Sequence, residues 1–211
     1  LEEIARKYEV ELLVLNDVDP VLLRRIGLRP GFTPCPGTND VMVVPEGDLG
    51  GGLACYILKK LSEGHVNFIE PFYIDKRTGL FAAGHAGPND YTDPLSSTII
   101  SKDERFAKSN YKHAGAPFAW NVIAPGEKTI LHISQCNSRF KMVCSTVEAV
   151  ETRHFLAGYS HGLFKTQIPA EEFFGKLISI GVTQHYAITA GNYLNELKLL
   201  AQLLDFDLTV I

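Results

Sequence analysis

The chain is poor in cysteine and has no long hydrophobic run. Four cysteines occur among its 211 residues: Cys35, Cys55, Cys136 and Cys144. They lack the close-spaced pairs of a zinc site and are too sparse for a disulfide scaffold. No apolar run approaches the roughly 20 residues that a membrane-spanning helix needs. We therefore predict free thiols, a cytoplasmic protein and no membrane partner.

A block of basic residues is also missing. The formal net charge is −4, and no Lys/Arg cluster could follow a phosphate backbone, which argues against a nucleic-acid partner. The sequence contains no G-x-S-x-G nucleophile elbow, no phosphate-binding loop and no H-E-x-x-H pair. These absences argue against the hydrolases and nucleotide-binding proteins that such motifs identify.

The residues that are present predict a mixed fold of α/β and α+β type. In residues 1–64, short apolar strands at Glu11–Asn16 and Val41–Val44 are followed by a helical pattern from Leu49, which is typical of part of an α/β domain. We expect this part to end near residue 64.

Residues 65–211 are predicted to form a second domain, in which an antiparallel meander closes into a barrel or a sandwich. Apolar stretches separated by turns such as DKRTG and APGEK indicate antiparallel strands from about residue 65 to 165. Helices are predicted at Pro169–Ser179 and Asn192–Leu204, with a strand at VTQHYAIT between them. The polar stretch 87–115 is predicted to be a long loop.

The segment VPEGDLGGGL places two acids where a strand ends and a helix begins. Glu46 lies at the carboxyl edge of the strand, where α/β sheets tend to bind ligands, although an exposed strand-end acid is an equally simple interpretation. Asp48 is predicted to be the helix N-cap. Gly47 and the run 50–52 would let the backbone approach a ligand or a neighbouring strand closely.

A second acid, Glu70, interrupts the apolar strand NFIEPFYI. A buried carboxylate is unfavourable unless it is paired, protonated or bound to a metal. If the residues on either side of KRTG pair as a hairpin, Asp75 faces Leu80, and Glu70 faces His85. The alternative is a Glu on the solvent face of an edge strand, which the adjacent Pro71 would suit.

Two histidines accompany these acids in strand or strand-end positions. His85 lies among small residues in FAAGHAGP, and His185 lies in the strand-like GVTQHYAIT. Each alone could equally be a core or turn residue. Mixed carboxylate and imidazole ligands suit Mn²⁺, Mg²⁺, Fe²⁺ or Co²⁺ better than a structural thiolate zinc site.

The order of these motifs resembles the C-terminal half of the L-fucose isomerase and L-arabinose isomerase superfamily. The motifs are PEGDLGGGL before a helix, NFIEPF on a strand, GHAGP after the next strand, and FKTQ with GVTQHYAIT near the C-terminus. The resemblance implies that residues 1–64 are the C-terminal part of an α/β middle domain and that residues 65–211 form a β-barrel-like C-terminal domain. It also implies a bound Mn²⁺ or other divalent metal, and aldose–ketose isomerase activity on a pentose or deoxyhexose.

Site residues follow from the same resemblance. Glu46 and Glu70 match the two acids that bind the metal and exchange a proton between C1 and C2 of the sugar through an enediol. His185 matches the late histidine ligand, and His85 matches the further histidine ligand of the arabinose isomerase branch. The resemblance also implies a homo-oligomer and a sugar pocket completed by an N-terminal half that precedes this segment.

Three functions are compatible with these residues. The first is a metal-dependent sugar isomerase, or its C-terminal part. The second is a non-catalytic sugar-binding or assembly module that keeps the isomerase fold, and the third is a metal-dependent lyase or hydrolase that reuses the ligands. The presence of both Glu46 and Glu70 favours chemistry, because a binding module needs neither a base nor a partner acid.

Overall fold

A computed structural model describes residues 1–26, 41–86, 89–102 and 117–211. Within these ranges the helices are α1 (Glu2–Tyr8), α2 (Pro20–Ile26), α3 (Leu49–Ser62), α4 (Ala170–Ser179) and α5 (Leu194–Leu204). The strands are β1 (Leu12–Val14), β2 (Met42–Val44), β3 (Val66–Asp75), β4 (Leu80–His85), β5 (Ser97–Lys102), β6 (Pro117–Val122), β7 (Gly126–Cys136), β8 (Arg139–Val150), β9 (Ser160–Thr166), β10 (Tyr186–Ala190) and β11 (Asp207–Val210).

The N-terminal part forms a small parallel sheet. Strands β1 and β2 pair in parallel, with Leu12 opposite Met42 and Val14 opposite Val44. The helices α2 and α3 follow the two strands along the chain. This arrangement is the α/β pattern expected for the first 64 residues. The predicted loop RPGFTPCPGTND, which contains Cys35, lies outside the described residues.

Helix α3 begins as predicted. Asp48 is its N-cap, and the Asp48 side chain accepts a hydrogen bond of 2.9 Å from the Gly51 amide. Three glycines in the first turn allow close packing. A Cβ at Gly50 would lie 2.2 Å from the carbonyl oxygen of Ile133 in β7, and a Cβ at Gly51 would lie 2.4 Å from the Phe68 ring. The glycines therefore bring α3 against the strands beneath it.

Six antiparallel strands close into a barrel. Their order is β8, β7, β10, β3, β4 and β9, and the pairing of β8 with β9 completes the ring. Strands β6 and β5 extend the sheet beyond β9, and β11 pairs in parallel with β8. The barrel and the helices near the C-terminus confirm the predicted fold class.

Two hydrophobic clusters hold these layers together. One cluster fills the barrel and includes Ile69, Ile130 and Phe164, with Phe173 of α4 packed against it. The other lies between the barrel and helices α3 and α5, and it joins Leu58 and Leu197 to strand residues. Helix α3 and the barrel strands share this second core, so the N-terminal part packs directly against the barrel. The boundary at residue 64 stays a prediction.

Two local predictions were wrong. The stretch 87–115 was expected to be a loop, but it contains β5, which pairs with β6 along Ser97–Lys102. In the β3–β4 hairpin Asp75 faces Leu80 as expected, whereas Glu70 faces Gly84 and not His85. The cause is an irregularity between Pro71 and Tyr73, where one extra residue on β3 shifts the register.

No helix in the described part of the chain is long and apolar enough to cross a membrane. The cysteines within the described ranges, Cys55, Cys136 and Cys144, are free thiols.

Candidate metal centre

Three side chains from distant parts of the sequence meet beside the middle of β3. Ligand atoms of Glu46, His85 and His185 all lie within 4.8 Å of one another. Glu46 follows β2, His85 is the last residue of β4, and His185 directly precedes β10. Both imidazoles are buried, and the Glu46 side chain is 29% exposed. The carboxylate is thus the member of the group that faces solvent.

A tight turn presents the Glu46 carboxylate to the two histidines. Glu46 has a φ of 65° and Gly47 a φ of 72°, so both adopt the left-handed conformation. This conformation is unfavourable for a residue with a Cβ and persists only where contacts enforce it. The fully buried Asp17 supplies one such contact, because its Oδ1 accepts a hydrogen bond of 2.8 Å from the Glu46 amide. Strain of this kind often accompanies a functional residue.

His85 is completely buried, yet neither of its ring nitrogens has a hydrogen-bond partner among the described residues. Its Nε2 lies 3.4 Å from Oε1 of Glu46, within ion-pair distance. Buried polar atoms normally have partners, since desolvation without a hydrogen bond costs about 1–3 kcal/mol. An imidazole nitrogen that faces a carboxylate and lacks a partner is suited to bind a cation.

His185 is oriented by a second carboxylate. Its Nδ1 donates a hydrogen bond of 2.8 Å to Oδ2 of Asp48. This bond directs Nε2 toward the centre, where it lies 3.6 Å from Oε2 of Glu46 and 3.3 Å from the side-chain nitrogen of Gln184. A carboxylate behind a histidine ligand fixes its tautomer and raises its basicity. The bond from His185 also lowers the pKa of Asp48.

The main chain at His185 is held by a third imidazole. Nδ1 of His132 donates a hydrogen bond of 2.8 Å to the His185 carbonyl. Burial lowers the pKa of His132, so the neutral form with its proton on Nδ1 is favoured. The spacing of His132 within β7 identified it only as a strand residue. The sequence gives no signal for this bond, since the two residues lie far apart in the chain.

An aromatic ring separates the centre from the core. The Phe68 ring lies 4.8 Å from the His85 ring and 4.4 Å from the His185 ring, centroid to centroid. The apolar wall keeps water from that side and strengthens electrostatic interactions within the site.

Glu70 does not belong to this group. It lies on β3 opposite Gly84, the residue before His85, and it is partly buried. No oxygen of Glu70 joins the set of mutually close ligand atoms in the described part of the chain. The structure therefore brings together three of the four predicted ligands. The assignment of Glu70 as a ligand and as a catalytic acid stays a prediction.

The residues present fit a divalent metal. The set offers one carboxylate and two imidazoles, which is the chemistry of Mn²⁺, Fe²⁺, Co²⁺ or Zn²⁺ sites with open coordination positions. The nitrogens of His85, which make no hydrogen bond to a described residue, and the ordered His185–Asp48 pair both support this fit.

No protein-family model and no curated protein sequence matches the chain.

Proposed function

We propose that the protein is a metal-dependent aldose–ketose isomerase, or the C-terminal part of one, that acts on a pentose or a deoxyhexose. The observation that carries this proposal is the convergence of Glu46, His85 and His185, from three distant segments, into one mixed carboxylate and imidazole group. The order of the sequence motifs, which resembles that of the fucose and arabinose isomerases, supports the same reaction.

Glu46, His85 and His185 would hold the metal, with Glu70 as the fourth ligand. Mn²⁺ or a similar ion, when bound, supplies Lewis-acid stabilisation for the oxygens at C1 and C2 of the sugar. The protein supplies the geometry. Asp48 fixes the His185 ring, and Asp17 fixes the turn that carries Glu46.

Proton transfer between C2 and C1 needs a base that removes a C-bound proton and an acid that returns it. The Glu46 carboxylate is accessible from solvent and has a histidine on either side, so one of its oxygens can accept a proton from substrate. Glu70 lies on β3 two residues beyond Phe68, which contacts both histidines. We assign Glu70 as the partner acid, with a change of side-chain position when the site is filled.

A homo-oligomer, a cytoplasmic location and a sugar pocket completed by further chain belong to the same proposal. The oligomer and the completed pocket rest on the resemblance, and the location rests on the sparse cysteines.

A second candidate is a sugar-binding module without turnover. The position of Glu70 favours it, because the carboxylate lies outside the ligand group and a module without a partner acid could not complete the proton transfer. The two functions differ in turnover but not in sugar binding.

Turnover of the Mn²⁺-loaded protein on pentoses and 6-deoxyhexoses tests the proposal. We expect aldose and ketose to interconvert, with Glu46→Gln and Glu70→Gln each lowering kcat at least about 10²-fold, because Gln cannot accept the proton. Glu171→Gln on the surface of α4 is the matched control and should leave kcat unchanged.

Metal content is measured for each variant to separate lost chemistry from lost metal. Wild-type turnover in both Gln variants would overturn the assignment of the acid pair. Sugar binding without turnover on any aldose would establish the second candidate instead.

A further inference from the structure

A cavity with polar and apolar walls lies at the opposite end of β10 from the metal centre. Its volume is about 240 Å³, and its walls include His65, Asn67, Lys128, Ile188 and Thr189. None of the three metal-centre residues lines it. Ile188 belongs to the hydrophobic cluster that fills the barrel, so the cavity lies at one mouth of that core.

Lys128 is the unusual feature of this cavity. It is 6% exposed, and it forms no hydrogen bond or ion pair within the described ranges. Lysine is almost never fully buried unless it is paired. Lys128 lies in β7 two residues before Ile130, so strand alternation directs its side chain to the face that fills the barrel.

Asn67 supplies a second buried polar group without a partner. It is 4% exposed, faces Ile188 across β3 and β10, and its Oδ1 has no hydrogen bond to any described residue. An oxyanion accepts hydrogen bonds, so Asn67 would present its NH₂ group to such a ligand, which a rotation of the side-chain amide allows. Nearby, His65 uses Nδ1 to contact Asp90, which directs its Nε2 away from that carboxylate.

The carboxylate in the wall attracts Lys128 only from a distance. Asp93 accepts hydrogen bonds from the Leu95 amide and the Ser96 hydroxyl, and it forms no ion pair with Lys128. Burial lowers the pKa of Lys128, and the charges of Asp93 and Glu148 only partly oppose that effect. An ammonium ion in this position lacks the close counter-charge that burial requires.

We propose that this cavity is a second ligand site, which binds the oxyanion of a small molecule, a phosphate or a carboxylate, through Lys128 and Asn67. The lysine provides the counter-charge, the amide provides a hydrogen bond, and Ile188 and Ile123 contact the apolar part of the ligand. Mouths of β-barrels are common places for such sites. This site is independent of the proposed isomerase activity.

Calorimetric titration of the metal-free protein with inorganic phosphate, and separately with acetate, tests the site. We expect saturable binding of at least one of them and none of chloride at the same ionic strength. Lys128→Met keeps the side-chain stem and should weaken binding at least about tenfold, since a charged hydrogen bond contributes about 1.5–3 kcal/mol. Lys165→Met removes an exposed lysine of the same barrel and is the matched control.

The two anions separate a phosphate ligand from a carboxylate ligand. If the wild type binds neither, or if Lys128→Met binds as tightly as wild type, the proposed site is wrong. Asn67→Leu provides a second variant, and it should weaken the same binding whether or not Lys128→Met folds. Unchanged affinity in Asn67→Leu would remove Asn67 from the site.

Discussion

The two ends of β10 keep buried polar groups in place by different means. At the His185 end, three groups are held by side chains: Asp48 holds the His185 ring, His132 holds its carbonyl, and Asp17 holds the Glu46 amide. The ring nitrogens of His85 make no hydrogen bond to a described residue. At the Ala190 end, Lys128 is buried without a hydrogen bond or ion pair to any described residue. Five residues of strand, about 17 Å, separate the two ends.

The difference indicates what each end contributes to the free molecule. The acid and imidazole end is organised before a ligand arrives, because the bonds that orient its side chains are already made. The lysine end carries a buried charge that the nearby Asp93 and Glu148 compensate only in part, so a ligand or solvent must supply the rest. Removing a side chain at the His185 end should therefore weaken metal binding. Removing the charge of Lys128 should weaken anion binding and also stabilise the fold.

The largest effect is expected where α3 packs on the barrel. Gly50→Ala places a Cβ 2.2 Å from the Ile133 carbonyl, so backbone must move and the free energy of unfolding should fall by about 3 kcal/mol. Gly175→Ala in α4 meets nothing within 4 Å and should instead stabilise the protein by about 0.5–1 kcal/mol. Urea denaturation of both variants checks this prediction. Equal effects of the two substitutions would show that α3 does not pack closely on β7.

Asp48→Ser separates the two roles of Asp48. Serine remains a good N-cap but is too short to reach His185, so stability should change little while Mn²⁺ affinity falls about 10–100-fold. Asp48→Asn has one acceptor oxygen in place of two, so it can keep either the cap bond from Gly51 or the bond from His185 but not both, and it should lose either stability or Mn²⁺ affinity. Mn²⁺ titrations and urea denaturation of the two variants provide the measurements. An affinity unchanged in Asp48→Ser would mean that the His185–Asp48 bond does not prepare the centre.

Lys128→Met should stabilise the ligand-free protein by about 1 kcal/mol, because it replaces a buried, unpaired charge with an apolar chain of similar length. Lys165→Met is exposed in the wild type and should change stability by less than about 0.5 kcal/mol. Guanidinium denaturation in a chloride buffer without phosphate gives the comparison. A destabilised Lys128→Met protein would show that the ammonium has a stabilising partner.

The smallest expected effect is on how the difference in stability between the wild type and Lys128→Met depends on pH. The folded pKa of Lys128 lies below its unfolded value of about 10.4, so the unfolded state binds more protons between the two values. The free energy of unfolding of the wild type, compared with that of Lys128→Met, therefore rises as the pH increases through that window. The nearby groups His65, Asp90, Asp93 and Glu148 are present in both proteins and cancel in the difference.

Denaturation of both proteins at about pH 7.5 and about pH 10 measures this change. We expect the advantage of Lys128→Met to be smaller at the higher pH. An advantage that grows with pH would contradict the lowered pKa.

Sequence reasoning predicted the fold well because its signals are local. Strands joined by turns such as DKRTG predicted an antiparallel barrel or sandwich, and Asp48 before a glycine-rich turn predicted the start of α3. The predicted β3–β4 register was wrong by one residue at Glu70, which faces Gly84 and not His85. A bulge beside Pro71 depends on how β3 fits its neighbours, and composition does not reveal on which side of the proline the extra residue lies.

The candidate centre could be predicted only in part. Glu46, His85 and His185 were named from strand-end positions and from the resemblance, and the structure brings them together. The bonds that hold them were not predicted, since they join residues 29, 53 and 137 positions apart. The cavity around Lys128 was also missed. The sequence around Lys128 does not reveal that this lysine is buried or that it lacks an ion-pair partner among the described residues.

The central claim is that the group of Glu46, His85 and His185 binds Mn²⁺. A Mn²⁺ titration monitored by the electron paramagnetic resonance signal of the free ion tests it most directly. We expect one site per chain in the wild type and a loss of affinity greater than about 100-fold in Glu46→Ala, His85→Ala and His185→Ala, since removing a direct ligand should exceed the effect of removing its supporting group. His65→Ala, outside the centre, should bind like the wild type. Wild-type affinity in all three ligand variants, or no bound Mn²⁺ in the wild type, would contradict the claim.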